Sequence, residues 1–378
     1  MAKRRIGALG SGWRGWGARL WLALAVLTTA GLTACPAASE AVPDPRLDAA
    51  LATLLQRYDV PGGVLLLSGP NGVGVAAAGL ADRARQRAVT PDTRFHIAST
   101  GKMMTAVAVL QLVQAGTIRL DDPVVPLIAL PAAGRLAHLD SATVADLLSH
   151  RSGIPDCLRN AGATSARHPN PSWTVVEALT VAPCGAPTQP GIYHYSNTNY
   201  MLLGRILERV DGTSLAASLE RRIFRPAGMT ATTLGASPEA PDVAHGYRAP
   251  KPDGSRADAS LYAYSSPLGD APVTTTVGDL DRFMTALFRR PGLLLDPATL
   301  REMLVDRAGE ADDGYGYGIM VEDSDFGPKY GHPGRLAGFR AEAWYYPDRD
   351  VAVSLILNGD ENTDDDVGLM LARQLLAP

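Results

Sequence analysis

The chain has 378 residues, is 46% hydrophobic and 20% charged, and carries a formal net charge of −4. That is enough apolar material for one large core or two small ones, and too little polar bias for a disordered chain. The first 34 residues hold Lys3, Arg4, Arg5, Arg14 and Arg19 and no acid. Without them 30 basic residues face 39 acidic ones, a balance that argues against nucleic acid as a partner.

In chain order, a basic stretch precedes an apolar run from Leu20 to Leu32 that is too short for a membrane span and ends in small residues. Residues 1–35 therefore read as a targeting segment. Leu32-Thr33-Ala34-Cys35 has the form of a bacterial lipobox, in which Cys35 would be lipidated; an ordinary signal peptide cut nearby is the other reading. The expectation is an exported protein held in the cell envelope, periplasmic or on the surface, by a lipid anchor in the membrane. Gly10, Gly12 and Gly15 match the spacing of a dinucleotide fingerprint, but no strand precedes them, so that motif is set aside.

Residues 36–44, rich in Pro and Ala, are expected to form a tether, with the folded domain over 45–378. Leu47, Leu51, Leu54, Leu55 and Tyr58 fall at helical spacing before Pro61. Strands are expected near 64–68 and 74–78, joined by a turn at Gly69-Pro70-Asn71-Gly72. An apolar helix follows from about Ser99 to Gln114, closed by Gly116. The middle, about 120–290, reads as a helical lobe, with helices near 143–149, 172–181, 198–211, 214–224 and 277–289. Strands return at 315–321, 338–346 and 350–357, before a last helix near 364–376. Two early strands and three late ones fit an α+β fold. A single antiparallel sheet would be built from both chain ends, with helices on its faces and the lobe inserted.

With Cys35 assigned to the lipid, Cys157 and Cys184 remain, either as one disulfide in an oxidising compartment or as two separate buried thiols. No CxxC or HExxH occurs, and no histidine pair has metal-ligand spacing, so neither a metal nor another cofactor is expected.

Three motifs carry chemistry. In Ser99-Thr100-Gly101-Lys102, positions i and i+3 at a helix start share a face, so the Lys amine can reach the Ser hydroxyl. A serine needs an adjacent base, and a buried lysine can be that base. The helix N-terminus favours the alkoxide and discourages a second positive charge. Of 35 basic residues only Lys3, Lys102, Lys251 and Lys329 are lysines. Where Arg serves almost everywhere, a Lys inside an apolar helix start is what a base requires, since Arg cannot deprotonate. In Tyr195-Ser196-Asn197, the Tyr hydroxyl can relay a proton and the Asn amide can hold a carbonyl or orient the Lys. In His332-Pro333-Gly334, read as lying just before a strand, the Gly would let a substrate backbone approach. The N–H of Arg335 would then join that of Ser99 in an oxyanion hole.

In this order and spacing the motifs resemble those of the penicillin-recognising serine hydrolases: class C β-lactamases, D-alanyl-D-alanine carboxypeptidases and the β-lactamase-fold esterases. Leu147-Leu148-Ser149-His150-Arg151-Ser152-Gly153-Ile154-Pro155, the stretch from Tyr200 to Thr232, Gly314–Gly318 and Asn358 resemble further segments of that family, over roughly residues 45–375. The resemblance implies an acyl-enzyme on Ser99 with Lys102 as base. Tyr195 would assist proton transfer, Asn197 would bind the substrate carbonyl, and His332 and Gly334 would form a third wall. The substrate would be a small molecule or short peptide: a D-amino-acid peptide, an ester or a β-lactam. A lipid-anchored binding protein of the same fold, without activity, is the competing reading. Two departures stand out. Pro333 replaces a Thr or Ser whose hydroxyl helps hold a substrate carboxylate, a role left to the charge of Arg335. Asp270-Ala271-Pro272 stands where the family has a Gly-Gly pair.

Overall fold

The computed structural model describes residues 42–130, 136–158, 174–180, 184–260, 268–271, 273–309, 314–360 and 367–376. The targeting segment and Cys35 lie outside these residues. Among the described residues no helix is long and apolar enough to cross a membrane.

Strand β1 (Val42–Pro43) leads into helix α1 (Pro45–Arg57), whose first turn is capped by Asp44 accepting from the Arg46 N–H at 2.9 Å. Strands β2 (Gly62–Gly69), β3 (Gly72–Asp82), β4 (Arg87–Ala88) and β5 (Phe95–His96) follow, then a 3₁₀ turn at Ala98–Gly101 and helix α2 (Lys102–Gln114). The lobe contributes α3 (Val124–Ile128), α4 (Val144–Leu148), α5 (Val175–Thr180), α6 (Asn197–Asp211), α7 (Leu215–Leu219) and α8 (Arg225–Ala227). After β6 (Thr233–Leu234), β7 (Val273–Thr275), α9 (Val277–Phe288) and α10 (Pro297–Met303) come the late strands. These are β8 (Gly314–Tyr315), β9 (Met320–Ser324), β10 (Gly327–Leu336), β11 (Phe339–Tyr346) and β12 (Val351–Leu357), before the last helix α11 (Val367–Leu376).

The main sheet runs β1-β3-β2-β12-β11-β10-β9-β8, with β4 beside β3. The early and late halves meet where β2 pairs antiparallel with β12, Leu65 opposite Leu355. Successive side chains on a strand point to opposite faces. Leu65 and Leu355 accordingly join Leu47, Leu51 and Leu371 under α1 and α11, while Val64 and Leu66 join the larger core around α2 and the lobe. Both faces are covered, which is why β2 reads as an unbroken apolar run and not as an alternation. Helix α2 is buried on every side from Lys102 to Leu110, as expected of a helix hydrophobic all round.

Several expectations need correction. The tether does not extend to residue 44: Val42 and Pro43 pair with Gly74 and Val75, in parallel, so the sheet is not purely antiparallel. The lobe stops before α9, which packs on β2, β11 and β12 through Leu280, Phe283, Met284 and Leu287 and belongs to the sheet layer. The lobe also carries β6 and β7, which with β5 form a three-stranded sheet. The expected strand 315–321 is a hairpin, β8 and β9, turning at Gly316–Gly318. His332-Pro333-Gly334, read as lying just before a strand, instead lies within strand β10. Its three Gly and two Pro resemble turn chemistry. Pairing with β9 ends at Gly331, so Pro333 sits where one edge of the strand has no ladder partner, the place a strand tolerates proline.

Candidate active site

Ser99 lies in the 3₁₀ turn and not in the first turn of the α-helix. At three residues per turn, positions i and i+3 eclipse, which sets Lys102 directly over Ser99. Lys102 Nζ is 2.9 Å from Ser99 Oγ. Ala98, the residue before the nucleophile candidate, has φ of +48°, an uncommon conformation for a side-chain-bearing residue. Its N–H donates to His96 Nδ1 at 3.0 Å, which holds the turn from below. His96 is buried, and desolvation lowers its pKa to about 4, leaving the neutral ring that this acceptor role needs.

Lys102 is 0% exposed, and desolvation brings its pKa from 10.5 down to about 8, against the pull of Asp270 and Asp156. Besides Ser99, Nζ donates to Asn197 Oδ1 at 2.8 Å and to the Asp270 carbonyl at 2.6 Å. An ammonium has three donors, and three oxygens receive them. The neutral amine can keep the last two bonds and accept the Ser99 proton on its lone pair, so the same geometry serves both protonation states without rearrangement. Asp270 is itself buried, and desolvation pushes its carboxyl up to about 6.

Tyr195 closes the other side. Its hydroxyl hydrogen-bonds Ser99, and Lys102 Nζ lies 5.1 Å from its ring centre. Desolvation raises its pKa well above the ordinary tyrosine value, so the phenol stays protonated and able to donate. Asn197 opens α6, and its Nδ2 donates to Asp156 Oδ2 at 3.0 Å, leaving one N–H for a substrate carbonyl.

The loop after α4 fixes this turn. His150, buried and at φ +56°, accepts the Ser196 N–H on Nδ1 at 3.2 Å and the His194 N–H on its carbonyl at 2.8 Å. Its ring lies 4.3 Å from that of Tyr195 and 5.0 Å from that of Tyr315, centre to centre. Ser152 Oγ donates to Asn199 Oδ1, and the Cys157 N–H to Thr198 Oγ1. Cys157 and Cys184 are joined as a disulfide.

His332 and Gly334 differ from expectation. His332 is not a loop side chain facing substrate: its ring is buried, Nδ1 bonds the Pro333 carbonyl, and Nε2 lies 3.2 Å from Tyr315 Oη. Desolvation and the nearby Lys102 lower its pKa to about 3, so it supplies no positive charge. The close approach that Gly334 permits is used by the protein itself. A Cβ there would lie 2.2 Å from the Ile97 carbonyl and 2.7 Å from Thr100 Oγ1, so the glycine lets the Ser99 turn sit on β10. Thr100 Oγ1 also donates to the His332 carbonyl at 3.1 Å. The Arg335 side chain is exposed beyond it. Among the described residues no group of three His, Cys, Asp or Glu side chains is arranged to hold a metal. Sequence reasoning assigned no role to His150, Asp156 or Tyr315. The segments resembling the family contained or adjoined all three, which was the available signal.

The family model described as Beta-lactamase matches residues 47–377. A D-aminopeptidase of Brucella ovis is 27% identical over 339 residues, covering 85% of this chain and 61% of that one. The chain thus spans about three fifths of the length of the curated relatives it matches. A penicillin binding protein from Bacillus halodurans superposes with a TM-score of 0.73 at 28% identity, over 86% of this chain and 98% of that one. A D-stereospecific amidohydrolase from Streptomyces sp. gives 0.72 at 28%, over 89% and 100%.

Proposed function

The chain belongs to the Beta-lactamase family, and from that premise we propose that it is a serine hydrolase cleaving small amides or esters of D-amino acids through an acyl-enzyme on Ser99. The carrying observation is Lys102 Nζ, fully buried, 2.9 Å from Ser99 Oγ and with neutral oxygens as its other partners. Ser99 Oγ attacks the carbonyl carbon as its proton passes to Lys102. The oxyanion is held by the N–H groups of Ser99 and Arg335, and Asn197 holds a second carbonyl of the substrate. As the C–N or C–O bond breaks, Tyr195 hands a proton to the leaving group and is resupplied from Lys102. Water then attacks the ester on Ser99, its proton relayed through the Tyr195 hydroxyl to Lys102, and Ser99 Oγ leaves as Lys102 returns a proton to it.

The D-amino-acid preference is supported by the names of the relatives, a D-aminopeptidase and a D-stereospecific amidohydrolase. Pro333 offers neither hydroxyl nor N–H for a carboxylate, which ranks β-lactams below amides and esters. We further propose export and lipidation at Cys35, supported by the run Leu20–Leu32 and the lipobox-like Leu32–Cys35. Mass of the mature N-terminus and membrane fractionation of Cys35→Ser test it.

The test of the activity is hydrolysis of D- and L-alanine p-nitroanilides and a p-nitrophenyl ester by residues 36–378, beside Ser99→Ala. Preference for the D form by tenfold or more, lost in Ser99→Ala, supports the reading. Turnover unchanged in Ser99→Ala, or none on any of these substrates, overturns it. Intact mass after incubation with penicillin decides the β-lactam question: a lasting adduct on Ser99 marks slow deacylation.

A further inference from the structure

An asparagine amide has a donor end and an acceptor end of nearly the same shape, so the space around it does not decide which way round it stands; its partners do. At Asn197 one end faces Lys102 Nζ and the other faces Asp156. Lys102 alone is an ambiguous guide, because a neutral amine can accept as well as donate. A carboxylate only accepts. We propose that Asp156 is a positioning residue. By taking the Asn197 Nδ2–H, it forces Oδ1 toward Lys102 and so keeps an acceptor on the amine throughout turnover.

Asp156 is built to be immobile. Its side chain is 8% exposed, Oδ1 takes the Leu158 N–H at 2.9 Å, and its carbonyl takes the Gly185 N–H at 3.1 Å. The next residue, Cys157, is tied to Thr198 by its N–H and to Cys184 by its disulfide. The resulting path is Asp156–Asn197–Lys102–Ser99, with contacts of 3.0, 2.8 and 2.9 Å. Were the amide reversed, Nδ2 would meet Nζ donor to donor whenever Lys102 carries its proton, and the amine would be pushed off Ser99. Asp156 also acts by charge. The titratable groups around Lys102 are Asp156, Asp270, His150, His332, Tyr195 and Tyr200; the two acids favour its protonated form by charge, and the two tyrosine ring faces favour it more weakly.

The inference rests on Ser99 and Lys102 acting as proposed, so the experiment separates the two. In a double-mutant cycle, Asp156→Asn, Asn197→Ala and the double variant are compared with wild type on a D-alanine anilide, beside Ser99→Ala. Asp156→Asn should lower kcat by about 10–100-fold with KM changed less than threefold. It should also move the acid limb of kcat/KM to lower pH, since one negative charge beside Lys102 is gone. In the Asn197→Ala background the same change should lower kcat by less than threefold. If Asp156→Asn does not fold, Asp156→Ser takes its place in the cycle. Effects that multiply, or an acid limb that stays in place, overturn the proposal while Ser99→Ala is inactive. Full activity in Ser99→Ala would overturn the reading of the site and the proposal with it.

Discussion

Among the described residues two lysines are buried, and their surroundings differ in one respect. Lys329 on β10, 1% exposed, meets Glu322 Oε2 at 2.8 Å and lies 4.1 Å over the Trp344 ring. Trp344 Nε1 in turn donates to Glu342, which pairs with Arg340. Lys102, 0% exposed, has three oxygens within 2.9 Å, and none belongs to a carboxylate. Burial by itself therefore does not make a base. Lys329 has a carboxylate within hydrogen-bonding distance to counter its charge; Lys102 has only dipoles at that distance, its nearest acids lie farther off, and desolvation brings its pKa down to about 8. The scarcity of lysine in the sequence pointed at both side chains equally.

The sharpest way to break the comparison is to remove each charge in turn. Lys102→Met should lower kcat/KM by about 10³-fold, the scale of a general base. It should also raise the melting temperature at pH 7. The fold holds the Lys102 pKa at about 8 against 10.5, so charging it at pH 7 costs about 3 kcal/mol of stability. The unfolded chain binds more protons between pH 8 and 10.5, so wild-type stability rises through that window and the variant's advantage fades there. The gain will be smaller than that figure, because Asn197 Oδ1 and the Asp270 carbonyl lose a donor. Calorimetry at pH 7 and 10 reads both effects.

Tyr195→Phe should lower kcat by about 10²-fold with substrates whose leaving group needs a proton. The loss should be smaller with p-nitrophenyl esters, whose leaving group departs as an anion; paired kcat values check this. In wild type, kcat/KM should rise about tenfold from pH 7 to pH 9, following the neutral fraction of an amine with a pKa of about 8. A profile flat over that range would mean that Lys102 is not the base. The smallest effect on activity belongs to Lys329→Met: kcat/KM within twofold and an unchanged pH midpoint. Its stability should drop by about 2–3 kcal/mol, because the variant strands Glu322, which is near enough to solvent to be partly hydrated. A shift of the pH midpoint in that variant would erase the distinction drawn between the two lysines.

The parts legible in the sequence were those carried by local spacing. Ser99 and Lys102 stand three residues apart, Leu47 to Leu54 mark one helical stripe, and apolar runs at both ends supply the halves of one sheet. β10 was not legible, because its Gly and Pro residues obey a requirement set from outside the strand. Gly334 is small to admit the Ser99 turn, and Pro333 lies past the end of pairing with β9. His332 looked like a wall of the pocket but is buried against Tyr315. Asp156 and His150 looked ordinary, because their partners, Asn197 and Ser196, lie more than forty residues away.

The sequence by itself determined which groups would carry the chemistry and in what order along the chain, since an i,i+3 pair at a helix start meets whatever the rest of the protein does. Only the tertiary structure decided that the Lys102 pKa falls to about 8. That property comes from water excluded by helix α6 and the His150 loop, and from a carboxylate kept one amide away. Both are distances between segments far apart in sequence, and no local pattern encodes them.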